Sequence, residues 1–343
     1  MGSTEYVYNH GTVVNALSCY EDLVAVGGVH TLSVLQVDNA GWVEVASFSL
    51  GSPVLALAFS PLTVSPTSDK QNWRVQLAAA CADGHIRRLT QGAASEAQED
   101  VVSDAATTHH DVITGLAFSG GGSARYLASV ARDCTLLVWD LDAVPSSSYP
   151  TRFAHPLLSV ASHPSQTEFV VADDSGSVFL VDWAESGRAP VQLVDPRALA
   201  DARTGHGGLG KGTGGAAWKP GDKDCVGATF GSRWVIWHLA HGAAGGGKPV
   251  LSGNGFLEGG HRFRWSPSDP NLFAVSTLSP AQGATVQIFN TSFPGAAPSV
   301  IALDRRPNRV HDFDFLAGMG LAVAVGRRVH FVPLSHEIVP PGI

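Results

Sequence analysis

The chain has 343 residues, with 22 Lys or Arg against 30 Asp or Glu and a formal charge of -8. That balance excludes the footprint of a direct nucleic-acid binder, which needs clustered cations to neutralise phosphates. With 44% hydrophobic and 15% charged residues, the composition also excludes a disordered chain and predicts a sizeable buried core.

The chain opens with MGSTEYVYNHG. It lacks the basic stretch and apolar run of a secretory signal. Met1-Gly2 also lacks the Ser or Thr that myristoylation uses at the sixth position, where Tyr6 stands. Nowhere does an apolar run approach the roughly 18 residues of a membrane span. Gly 38 and Pro 20 make a turn-rich chain, and turns with many Val, Thr and Trp favour short strands.

Self-similar units then follow one another. VVNALSCYEDLVAVGGVHTLSVLQV (13–37) is the first. VLALAFS (54–60) with VQLAAACADGHIRRLT (75–90) is the second. The third, from His109 to Leu141, is the clearest: HHDVITGLAFS, YLASVARD and CTLLVWDL. Within it Val112, Thr114, Leu116 and Phe118 recur at period 2, the pleat signature, and the last run ends in the Trp139-Asp140 dipeptide of propeller blades. Weaker copies span 157–183, 213–239, 261–290 and 309–334.

Aligned on Trp139, the series reads Leu35, Leu89, Trp139, Val181, Trp237, Phe289 and Phe331, at spacings of 54, 50, 42, 56, 52 and 42. A four-stranded blade needs about 40–45 residues. Insertions at Leu62–Asn72, Gly205–Gly215 and Gly242–Gly247 account for the excess. The expected fold is all-β, a seven-bladed WD-repeat β-propeller in one domain over 1–343. Residues 13–334 carry the blade repeats and 335–343 a tail. Too little sequence follows Leu334 for a fourth strand, so residues 1–12, with the β-prone Glu5-Tyr6-Val7-Tyr8, are expected to supply the closing strand of the last blade and remove its open edge.

The third unit alone has a full polar framework: His109 or His110 before its first strand, then Ser129, Asp133 and Trp139. His110 is taken as the histidine of this structural tetrad. The Asp is expected to accept from His, and the His to donate onward to Ser and Trp. Such a set could also be a hydrolase triad, but Ser129 sits mid-strand rather than on an exposed elbow. The cysteines Cys19, Cys81, Cys134 and Cys225 form no CxxC pair and are expected to be small buried hydrophobes, a pattern that suits a reducing compartment.

Other patterns look chemical but lack their partners. GHGGLGKG (205–212) imitates a phosphate loop, yet Gly212 stands where Ser or Thr would hold magnesium. Asp173, Asp174, Asp312 and Asp314 are expected to be solvated acids of turns or alternating strands, not calcium ligands at regular spacing. Fourteen scattered histidines predict no metal site. Catalytic residues and cofactors are therefore expected to be none. Arginine pairs at 87–88, 305–306 and 327–328 fit either a protein-binding rim or ordinary solvation.

Together, SRWVIWHL (232–239), RFRWSPSDPNLFAVS (262–276), the 157–183 segment with His163-Pro164, and DVITGLAFS with ASVARDCTLLVWDL (111–141) resemble the thirty-seven-kilodalton nucleoporin family. Those proteins are the small propeller subunits of the outer-ring Y complex of the nuclear pore. The match runs in order across essentially the whole chain. The Gly- and Ala-rich stretches 184–212 and 242–247 depart from it. The resemblance implies a non-catalytic scaffold at the nuclear envelope, supporting pore assembly and nucleocytoplasmic transport. Its partner would be the long-arm nucleoporin, and in some lineages an ELYS-type nucleoporin, with no direct nucleic acid, membrane insertion or small-molecule substrate.

Other propeller roles compete with that reading. A generic WD-repeat adaptor, such as a ubiquitin-ligase substrate receptor or a chromatin-associated module, shares the fold. An enzyme would need titratable groups near the axis. First-strand positions read Ala16, Ala56, Ala58, Gly115, Ala117, Ala161, Ala216 and Ala217, which predicts a small, apolar channel lining. Trp73, Arg132, Arg233 and Arg262 are candidate partner-binding residues, because aromatics and arginines dominate interface energetics.

Overall fold

The computed structural model describes residues 6–102, 108–122, 124–143, 147–185, 188–197, 200, 213–241 and 248–334. Seven antiparallel sheets of four strands follow one another around a ring. Their inner strands are Ala16–Tyr20, Val54–Phe59, Ile113–Phe118, Leu157–Ser162, Gly214–Trp218, Arg262–Trp265 and Val310–Leu316. Each inner strand neighbours the next, and the seventh neighbours the first. The residues aligned above on Trp139 all fall in the third strand of their blade.

Second strands such as Leu23–Gly27, Phe169–Asp173 and Gly320–Val325 are buried at every residue. Both their faces are covered by neighbouring blades, so they are continuously apolar rather than alternating. Fourth strands lie at the rim. Ser95–Val101 is exposed throughout and carries Glu96, Glu99 and Asp100. Arg87, from the first arginine pair, is buried beside it, paired with Glu99 at 2.7 Å and Asp83 at 2.6 Å. It braces its own blade and offers nothing to a rim partner.

The seventh blade takes its outer strand from the N-terminal side of the chain. Tyr6–Asn9 pairs antiparallel with Arg328–Pro333, in the register Tyr6 to Phe331 and Tyr8 to Val329. The Tyr8 hydroxyl donates to Ser33 Oγ of blade 1 at 3.2 Å, and the Tyr8 ring meets the edge of Trp42 at 4.8 Å between centroids. The closing strand thus holds blade 7 by main-chain bonds and blade 1 by side chains.

Inner strands of blades 2, 3, 4 and 7 share a register shift near their start, at Val54/Ala56, Ile113/Gly115, Leu157/Ser159 and Val310/Asp312. Thr114 lies within one of these shifts and donates to Leu157 O of the next blade at 2.8 Å. Neighbouring inner strands come so close that a Cβ on Gly115 would stand 3.2 Å from Val160 N, and one on Gly215 3.2 Å from His261 O. The small residues of the sequence pattern are required by that approach.

The Leu62–Asn72 insertion folds back on blade 1. Thr63 and Ser65 are buried, Thr67 Oγ1 donates to Asp22 at 2.6 Å, and Gln36 Nε2 donates to Thr67 Oγ1. Most of Gly205–Gly215, including the whole GHGGLGKG motif, lies outside the described residues, as do Gly242–Gly247 and 335–343. Cys81 and Cys225 are buried in strands, whereas Cys134 stands half-buried in a turn at φ 65 and departs from the burial expected of it. No helix among the described residues is long and apolar enough to cross a membrane.

Candidate functional site

Two polar constellations stand out, the third-blade framework and the inner ring at blades 6, 7 and 1. In the first, the histidine is His109 and not His110. His109 is buried, with Nδ1 3.1 Å from Asp133 Oδ2 and Nε2 2.8 Å from Ser129 Oγ. Trp139 Nε1 donates to the same Ser129 Oγ at 2.8 Å. His110 is exposed and contributes only its backbone N–H, which donates to Asp133 at 2.9 Å. The chain enters the blade in an orientation that turns the first of the two histidines inward.

Trp139 can only donate, so Ser129 Oγ accepts from it and keeps a proton and a second lone pair for the bond with His109 Nε2, while Asp133 faces His109 Nδ1. Burial pushes the His109 pKa below the ordinary value, outweighing the upward pull of Asp133. Burial raises Asp133, but hydrogen bonds from Thr135, the His110 N–H and His109 outweigh it and hold the carboxyl low. Ser129 is wholly buried, so no substrate can reach its hydroxyl. The arrangement locks a blade.

The inner strands of blades 1 to 5 carry no charged residue, but those of blades 6 and 7 do. At the positions equivalent to Gly115 and Ala117, blade 6 places Arg262 and Arg264, and blade 7 places Asp312 and Asp314. Asp312 is buried and Asp314 half-buried, rather than solvated as expected. Asp312 is 3% exposed, and its Oδ2 accepts from Leu17 N of blade 1 at 3.0 Å. Asp314 Oδ2 accepts from Cys19 N at 2.9 Å. Burial raises the Asp314 pKa despite Arg264 and the backbone donors. Arg262 Nε stands 3.3 Å from Asp312, and Arg264 stands 3.9 Å from Asp312 and 3.8 Å from Asp314. Alternation in RFRW and HDFDF was the available signal, since charges at period 2 in a first strand must enter the ring.

Asp173 is likewise buried and closes its own turn, accepting from Ser175 N at 3.0 Å and Ser177 N at 2.9 Å. The four partner-binding candidates scatter. Arg132 is exposed on the turn beside Asp133. Trp73 is half-buried against the core of blades 1 and 2 and, with Trp42 and Val43, lines a groove of about 500 Å³. Arg233 is tied to the outer strand of its own blade, donating to Ser252 Oγ at 3.1 Å. Arg262 lies in the inner ring rather than on a rim.

No protein-family profile matches the chain. Over 277 residues, covering 78% of this chain and 76% of its counterpart, it is 24% identical to nucleoporin Nup37 of Mus musculus. The chain is a seven-bladed propeller whose sequence is similar to that of Nup37. Among solved structures it superposes on Raptor of Chaetomium thermophilum with a TM-score of 0.71 at 17% identity. That alignment covers 98% of this chain and 29% of Raptor. At such identity the second likeness speaks for the propeller fold alone.

Proposed function

We propose that this protein is a non-catalytic scaffold subunit of the nuclear pore complex that docks on the long-arm nucleoporin of the Y complex. The observation that carries the reading is the likeness to Nup37 over 78% of the chain. A closed propeller suits the role, because its strands hold a rigid frame while its loops and rims vary. Its role in transport would be indirect, through pore assembly at the nuclear envelope, and an ELYS-type nucleoporin is a second partner in the same reading. Binding would rest on mixed apolar and polar contacts rather than on steering of a polyanion, given 15% charged residues. The exposed surface supplies apolar anchors, among them Trp42, Val43 and Leu257.

The reading is tested by size-exclusion chromatography of the purified chain mixed with the C-terminal half of the long-arm nucleoporin. Co-elution at micromolar concentration, where a standard-size interface holds, is the expected result. Separate elution would overturn the reading in favour of a generic WD-repeat adaptor.

A further inference from the structure

The ion cluster between blades 6 and 7 is incompletely satisfied, and the deficit is one-sided. Asp312 spends Oδ1 on Phe313 N at 3.0 Å and Oδ2 on Leu17 N. Asp314 spends Oδ1 on Phe315 N at 2.9 Å and Oδ2 on Cys19 N. Each of the four carboxylate oxygens thus accepts a backbone N–H, whereas the guanidiniums are less well served. Arg262 Nε lies 3.3 Å from Asp312 without hydrogen-bond alignment, and it is a buried atom with no acceptor. Arg264 has one hydrogen bond, to Phe263 O at 3.2 Å, and otherwise stands 3.8 Å or more from the acids.

Two further buried atoms without a hydrogen-bond partner lie beside them, His261 Nδ1 and Ser276 Oγ. Ser276 is the ladder partner of Arg262, so both side chains emerge on the same face of the sheet. Both can donate, and a neutral His261 can place a proton on Nδ1. Unused donors thus collect at one joint in a chain whose formal charge is -8. Arg262 and Arg264 retain 13% and 28% of their side-chain surface.

We propose that the wedge between blades 6 and 7 is an oxyanion-binding site at the central channel, taking one carboxylate or phosphate group on the Arg262 and Arg264 guanidiniums. Planar guanidinium forks match such groups bidentately, and charge-assisted bonds of this kind are the strong ones. His261 and Ser276 stand ready as neutral donors on the same anion. The site is independent of the scaffold reading, since its ligand is recognised by charge and geometry alone.

The test uses the full chain in sodium chloride, with inorganic phosphate or acetate added at constant ionic strength. Calorimetry and melting temperature are both recorded. Saturable binding is expected, with a melting temperature that rises with ligand as mass action requires. Stronger binding of phosphate would assign a phosphate source, and stronger binding of acetate a carboxylate one. Arg264→Gln should weaken binding about tenfold or more. Arg264→Lys keeps the charge and guards against misfolding of the first variant, yet loses the fork and should also weaken it. Heats and melting shifts indistinguishable from those of added chloride would overturn the proposal. So would equal affinity in the parent and in a folded Arg264 variant.

Discussion

Asp312, near the end of the chain, accepts a hydrogen bond from the backbone N–H of Leu17, near its beginning, across 3.0 Å at the joint of blades 7 and 1. An inner strand presents its free edge toward the channel, and buried N–H groups there need an acceptor. Asp312 and Asp314 supply two from the preceding blade. Between blades 4 and 5 the same task falls to Ser159 Oγ, which accepts from Ala216 N at 3.0 Å. Replacing Asp312 by Ala strands Leu17 N–H and leaves Arg262 without its counter-charge. A loss of about 3–5 kcal/mol is expected, read from the urea midpoint. Asp312→Asn, which keeps an acceptor, should lose less, and an unchanged midpoint in the Ala variant would refute the account of the joint.

The closing strand should matter as much. Deleting residues 1–10 removes the partner of Arg328–Pro333 and the Tyr8 contacts with Ser33 and Trp42. The melting temperature should fall by several degrees, and the exposed edge should promote self-association. A truncated chain that melts with the parent would show that the ring closes without it.

Acid should weaken the third blade in two separate windows. The folded His109 pKa lies below its unfolded value of about 6.5. The unfolded chain therefore binds more protons below that pH, and stability falls as pH drops from about 6.5 toward the folded pKa. Asp133 is depressed in the folded state, so its contribution is present above about 3.9 and is lost as pH falls through the lower folded value. His10, His163, His261 and His311 are also lowered and add slope of the same sign in the first window. His109→Asn should therefore reduce that slope by up to about 1.4 kcal/mol per pH unit without abolishing it. Urea midpoints between pH 7 and 5 measure the difference, and parallel curves would exclude a neutral, buried His109.

Blade packing gives a sharper steric case. A Cβ on Gly227 would stand 2.3 Å from Phe263 Cζ and 3.0 Å from Trp265 Cζ2. Phe263 is itself stacked on Phe273 at 4.8 Å, so it has little freedom to retreat. Gly227→Ala should cost about 1–3 kcal/mol by overpacking. Arg132→Ala, on an exposed turn, should change stability by less than about 0.5 kcal/mol. Thermal melts of the two variants side by side check the contrast.

The sequence by itself determined the number of blades and the third strand of each, because the residue aligned on Trp139 is buried in every blade and must be apolar there. It also marked Ser129, Asp133 and Trp139, and it pointed to the closing strand through the β-prone Tyr6-Val7-Tyr8. Fourth strands such as Ser95–Val101 were not legible, since a strand exposed on both faces has no apolar period to reveal it. The choice between His109 and His110 depended on how the chain enters the blade, and adjacent identical residues carry no signal of that. The Asp312–Leu17 joint spans 295 positions and exists only once the ring has closed. Composition and periodicity report which residues leave water, and only the closed ring decides which of them meet.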